Sequence, residues 1–194
     1  MKTILKFTIV VALMLSTVVS MASEPKMNLV ANSIAKSLIF TLEEVTENMN
    51  IQIIDAYDNI IYSEKFTGDT LRKRFDLENL DSGTYYFFTE NEFKSYMYTI
   101  SLDNDKLEIL SKEETHKAHF RKTEDKVFVN LLNLDKSKVA IKVYNEDDRL
   151  VHSETVVEKI VVEKAFNFTN AYAGSYTIMI EDGINTYTQK FIVN

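Results

Sequence analysis

Residues 80–85 read Leu-Asp-Ser-Gly-Thr-Tyr, and residues 171–176 read Ala-Tyr-Ala-Gly-Ser-Tyr. In both stretches a glycine precedes a tyrosine by two positions at the entrance to an apolar run: Tyr85-Tyr86-Phe87-Phe88 in the first, Tyr176-Thr177-Ile178 in the second. The pattern predicts a tyrosine corner. Gly83 and Gly174 allow a sharp path into a strand, and Tyr85 and Tyr176 send their hydroxyls back to the loop main chain. Two residues on, Phe87 and Ile178 stand at the inward position where a disulfide-bonded sandwich carries cysteine. This chain has no cysteine, so its cores must hold by packing alone.

The correspondence extends outward from the corner. Phe75-Asp76-Leu77 meets Phe166-Asn167-Phe168 at the same shift of 91 residues, and Tyr96 meets Tyr187. Upstream the shift is 90. Ile51-Gln52-Ile53-Ile54-Asp55 falls on Ile141-Lys142-Val143-Tyr144-Asn145, and Asp58–Glu64 falls on Asp148–Glu154 with apolar positions meeting apolar ones. Further upstream, Ser37-Leu38-Ile39-Phe40 matches Lys126-Val127-Phe128-Val129 at a shift of 89. A drift of one residue at each of two turns is what surface loops tolerate between copies of one module.

Within each copy the segments alternate with period two and are rich in β-branched and aromatic residues, as in Met49-x-Ile51-x-Ile53 and Val139-x-Ile141-x-Val143. This suits half-buried strands. Turn signals such as Tyr57-Asp58-Asn59, Asp81-Ser82-Gly83 and Asp182-Gly183 recur at intervals suited to short antiparallel strands. The expected fold class is all-β: two tandem immunoglobulin-like antiparallel β-sandwich modules of six or seven strands each, after a signal peptide. The charged stretch 111–118, Ser-Lys-Glu-Glu-Thr-His-Lys-Ala, lacks apolar periodicity. It is expected to be the linker between a first module at 23–110 and a second at 119–194.

Each copy resembles the C-terminal sorting domains of type IX (Por) secretion substrates from Bacteroidota-type bacteria. The resemblance rests on Ile53-Ile54-Asp55, Ile61-Tyr62-Ser63, Phe75-Asp76-Leu77 and Leu80-x-x-Gly83-x-Tyr85 in the first copy. In the second it rests on Val143-Tyr144-Asn145, Leu150-Val151-His152-Ser153, Phe166-x-Phe168, Gly174-x-Tyr176 and the terminal Gln189–Asn194. An Asn-Gly turn expected of the family is replaced by Asp58-Asn59 and by Asp148-Arg149. The resemblance implies export and recognition by secretion machinery, with no chemistry of its own.

The N-terminus supports export independently. Lys2 and Lys6 precede the apolar stretch Phe7–Leu15, and Ser20-Met21-Ala22 offers small residues for signal-peptidase cleavage after Ala22. The apolar stretch is too short for a membrane span, so no span is expected after cleavage. A Sec-exported protein of the periplasm, cell surface or exterior is the expectation. The net charge is −7, and −9 without Lys2 and Lys6, which argues against nucleic acid as a partner.

Candidate chemistry is sparse. His116-x-x-His119 has metal-ligand spacing but no accompanying cysteine or acid pattern, so no metal site and no cofactor are expected. No serine sits in a glycine-framed elbow with a placed histidine, and no catalytic residues are assigned. The residues most suited to binding are aromatic: Tyr57, Tyr86, Phe93, Tyr96 and Tyr98 crowd the first copy. Tyrosine and phenylalanine at such places stack on sugars or anchor a protein partner. The expected role is therefore a non-catalytic interaction or structural module, with a carbohydrate- or protein-binding adhesin component as the alternative and a small hydrolase as the remoter one.

Overall fold

The period-two segments of the sequence pair into stacked antiparallel sheets, and the described part of the computed structural model comprises residues 26–44 and 48–194. The signal-like residues 1–22 lie outside the described residues. The first module contains β1 (Lys26–Asn32), β2 (Ser37–Glu43), β3 (Met49–Asp55), β4 (Ile60–Phe66), β5 (Leu71–Asp76), β6 (Gly83–Glu90), β7 (Lys94–Leu102) and β8 (Leu107–His116). The second contains β9 (His119–Lys122), β10 (Lys126–Leu132), β11 (Val139–Tyr144), β12 (Leu150–Val156), β13 (Val161–Asn167), β14 (Gly174–Glu181) and β15 (Thr186–Val193). No helix occurs among the described residues, and none is long and apolar enough to cross a membrane.

In the first module a three-stranded sheet, β1-β2-β5, stacks on a five-stranded sheet, β4-β3-β6-β7-β8. In the second, β13-β10-β9 stacks on β12-β11-β14-β15. Each is an immunoglobulin-like sandwich. The strands are duplicated down to their irregularities: the ladder between the third and fourth strands bulges at Ile53/Ile54 and again at Val143/Tyr144. The turn that follows is held alike in both. Asp55 Oδ1 accepts from the Tyr57 and Asn59 amides, and Asn145 Oδ1 from those of Asp147 and Arg149. Asp58 and Asp148 occupy the left-handed region at φ 64° and 57°, a conformation their short polar side chains tolerate better than most. The aspartates thus stand at the Asn position of an Asn-Gly turn, while Asn59 and Arg149, at the Gly position, have no positive φ.

Inward-facing residues of the two sheets meet to form two separate cores. Phe40, Phe87, Phe75 and Tyr98 interlock in the first, with ring centroids 5.0 Å apart for Phe40–Phe87 and 5.4 Å for Phe75–Phe87. The second is aliphatic at its centre, around Ile141, Ile178 and Ile180, with Phe168, Tyr176 and Phe191 grouped at one end. Phe87 and Ile178 are wholly buried. Burying such a side chain contributes about 1.5–3 kcal/mol.

One boundary differs from the sequence reading. Residues 111–116 are not linker but the outer half of β8, pairing Ser111 with Thr99 through His116 with Lys94. Only Lys117 and Ala118 separate β8 from β9. The charged composition misled because an edge strand solvated on both faces needs no apolar alternation. The first module accordingly has eight strands among the described residues. The extra strand also reverses the chain. It carries the linker back to the β6–β7 turn, where the Lys117 amide donates to Phe93 O, so the second module is entered near that loop end of the first.

Candidate functional site

The corner tyrosines are placed by the strand that follows each glycine. Tyr85 Oη donates to Asp81 O at 2.7 Å, and Tyr176 Oη to Tyr172 O at 3.0 Å. Both rings are buried. The two glycines are not equivalent. Gly174 has φ +149° and a Cβ there would stand 3.0 Å from Glu146 Oε2, whereas Gly83 has no positive φ and a Cβ would meet nothing within 4 Å. The conformational need for glycine applies at Gly174 and not at Gly83, because the loop path into β6 stays within the ordinary region.

The five aromatics of the first module do not form one patch. Tyr57 stands 86% exposed in the β3–β4 turn. Phe93 lies in the β6–β7 turn, its ring 4.7 Å from that of His119 across the linker. Tyr98 is buried, 6.2 Å from Phe87, and burial first, then the neighbouring ionisable groups of Tyr96 and Glu114, push its hydroxyl up to about 12. Tyr96 packs against the same core, with Lys112 Nζ 4.7 Å from its ring centre. Tyr98 is therefore a core residue, and Tyr96 is a half-buried one at the core's margin. They share the inward face of β7 with Ile100 and Leu102, as period-two geometry requires.

Tyr86 alone faces outward on the large sheet, and there it has company the sequence reading passed over. The β3–β6–β7 register places Ile54 beside Tyr86, and Phe88 between Gln52 and Met97. All are partly exposed. The matching positions of the second module are Tyr144, Thr177, Lys142, Met179 and Thr188, a more polar face. The signal was the unbroken run Tyr85–Phe88, in which both sheet faces are apolar.

The module junction gathers His116, His119, Glu92, Glu114 and Lys117. Lys117 Nζ reaches Glu90 Oε2 and Asn91 O, both at 3.0 Å. His116 Nε2 lies 3.4 Å from Glu114. His119 Nδ1 is buried 3.2 Å from a Glu92 oxygen, outside hydrogen-bonding alignment. Tyr187 Oη donates to His116 O at 3.0 Å, tying β15 to the end of β8. Burial above all raises the Tyr187 hydroxyl to about 12. Among the described residues no three His, Cys, Asp or Glu side chains group as a metal site. The junction is a mechanical joint of hydrogen bonds and one aromatic contact.

The family model of the secretion system C-terminal sorting domain matches residues 34–103 and 123–194, one match for each sandwich. The chain belongs to this sorting-domain family. Its two tandem sorting-domain copies are the two modules described above, and membership implies export to the cell surface or beyond. Among solved structures the chain is similar to the BSP domain of a biofilm-associated protein, with 16% identity, TM-score 0.30, and coverage of 89% of this chain and 29% of that one. It is also similar to a two-domain fibronectin type III segment of chicken tenascin, with 7% identity, TM-score 0.29, and coverage of 89% and 99%. A third is the FN1–FN3 segment of chicken CNTN1, with 9% identity, TM-score 0.29, and coverage of 89% and 64%. The chain thus spans less than a third of the first of these and just under two thirds of the third. No curated protein matches it.

Proposed function

We propose that this is an exported, non-catalytic cell-surface or secreted protein in which the second sandwich serves as the sorting domain and the first as its folded cargo and interaction module. The observation that carries the reading is the double family match, which falls on both sandwiches. Export would begin at the signal-like residues 1–22 through the Sec route and end with recognition of the second module by secretion machinery. The outward row of Ile54, Tyr86, Phe88 and Met97 on the first module supports a protein-binding role for that module, since partly exposed aromatic and sulfur side chains are favoured at interfaces.

Fractionation of the native strain expressing the chain intact or with Thr186–Asn194 deleted tests the reading. Intact protein at the surface or in the medium, with the deleted form held folded in the periplasm, is the expected result. Intact protein that stays periplasmic would reject the sorting role.

A further inference from the structure

The two sandwiches have matching seams where their sheets meet, and three of the four are closed. Along one side of the first module Lys73 Nζ on β5 lies 2.6 Å from Glu64 Oε2 on β4, while Phe75 packs on Tyr62. Along the same side of the second, Lys164 Nζ lies 2.6 Å from Glu154 Oε2, while Phe166 packs on His152. Along the other side of the first module, between β1 and β7, β8 fills the gap. Leu107 is buried, Ile109 packs on the core, and Ser33 Oγ donates to Leu107 O at 2.6 Å. The corresponding side of the second module, between β9 and β15, has no such strand among the described residues. In its place is a groove of about 430 Å³ lined by Phe120, Lys122, Val127 and Gln189–Ile192.

The main chain of β15 is turned toward this groove. Lys190 O accepts from Gln189 Nε2 at 3.0 Å, and Ile192 O from Lys122 Nζ at 2.5 Å. Both carbonyls therefore point away from β14, and by strand alternation Thr186 and Thr188 present their main chain on the same open edge. Such an edge is a template for an added strand.

We propose that the β9–β15 seam of the second module binds an extended segment of another polypeptide, antiparallel to β15, with an apolar-acidic-apolar sequence. The first module supplies the template. There Leu107, Glu108 and Ile109 pair with Leu102, Ser101 and Ile100, whose counterparts at the 91-residue shift are Val193, Ile192 and Phe191. A segment of the same pattern would set its two apolar side chains against Phe120 and Phe191. It would set its acid opposite Ile192, beside Lys122 and Lys190. Lys122, which now caps the Ile192 carbonyl, would give that carbonyl to an incoming amide and pair with the acid. The inference deepens the interaction role proposed above and rests on it.

The test uses the mature chain and a fluorescent peptide of residues 106–117, Lys-Leu-Glu-Ile-Leu-Ser-Lys-Glu-Glu-Thr-His-Lys, followed by anisotropy and amide hydrogen exchange. Saturable binding below about 1 mM is expected, with slowed exchange at Thr188, Lys190 and Ile192. Lys122→Glu should weaken binding about tenfold, and a peptide carrying Lys in place of Glu108 should recover it on that variant. Thr188→Pro, which removes an outward amide at an edge where proline is tolerated, should abolish strand addition. Absence of saturable binding overturns the proposal, as does binding indifferent to both variants, or protection appearing on Lys94–Leu102 because the peptide displaced β8. If Thr188→Pro fails to fold, the charge swap decides alone. An exported chain that binds no strand rejects the seam only, and a chain that binds but is never exported rejects the sorting role only.

Discussion

Lys164 Nζ stands 2.6 Å from Glu154 Oε2 across the edge of the second sandwich, repeating the 2.6 Å pairing of Lys73 with Glu64 in the first. Both lysines bridge a strand of one sheet to a strand of the other, so each pair acts as a clasp. The side chains are about one-third exposed, which limits each clasp to about 0.5–1 kcal/mol. A double-mutant cycle of Glu154→Gln and Lys164→Met, followed by urea unfolding, should give a coupling energy in that range. Lys73→Met should cost somewhat more than Lys164→Met, because Lys73 also donates to Tyr62 and lies 5.0 Å from its ring centre.

The corner hydroxyls predict a matched pair of losses. Tyr85→Phe and Tyr176→Phe each remove a hydrogen bond to a loop carbonyl and should each destabilise by about 1 kcal/mol. The neighbouring glycines should part company under the same assay. Gly174→Ala should cost about 1 kcal/mol or more at its positive φ, while Gly83→Ala should be neutral or stabilising by up to about 1 kcal/mol.

Alkaline titration should separate the tyrosines. Tyr98 and Tyr187 are raised to about 12 in the folded chain, against about 10 for a free tyrosine. A raised folded value means that the stability these groups contribute is complete below about pH 10 and lost as pH rises through about 12. Absorbance of tyrosinate should show a late phase removed in part by Tyr187→Phe. On the acid side, Lys73 holds the Glu64 carboxyl below its ordinary value, with the Tyr62 hydroxyl adding to the effect. That contribution is present above the unfolded value and lost as pH falls through the folded one, so Glu64→Gln should flatten the acid limb of the stability curve.

The joint between modules predicts a protease phenotype. Lys117 is held by Glu90 and Asn91, and the flanking contacts are Tyr187 to His116 and Phe93 to His119. Tyr187→Phe combined with Phe93→Ala should speed tryptic cleavage after Lys117 several-fold, since cleavage follows the population of locally open states.

The sandwich pair was legible because the cues were local and occurred twice. Gly-x-Tyr before an apolar run, period-two strands and the nearly steady shift of 89 to 91 residues between copies each point to the same architecture. The outer half of β8 was not legible, since Ser111–His116 carries no apolar alternation and its charged composition is that of a linker. The aromatic cluster failed for a related reason. Tyr96 and Tyr98 look like surface residues in composition, but strand parity turns them toward Ile100 and the core, while the outward neighbours Phe88 and Met97 were hidden in longer apolar runs. The groove beside β15 had no sequence signature, because it consists of the position that β8 fills in the other copy.

The family match for the first copy begins at residue 34 and ends at 103, so β1 and β8 both lie outside it. Yet Leu29 and Leu107, which those strands supply, are buried in its core. The matched stretch is therefore smaller than the unit that holds together. A fragment trimmed to the matched residues would bare an apolar floor and two raw sheet edges, and its natural fate would be association with whatever strand it met first.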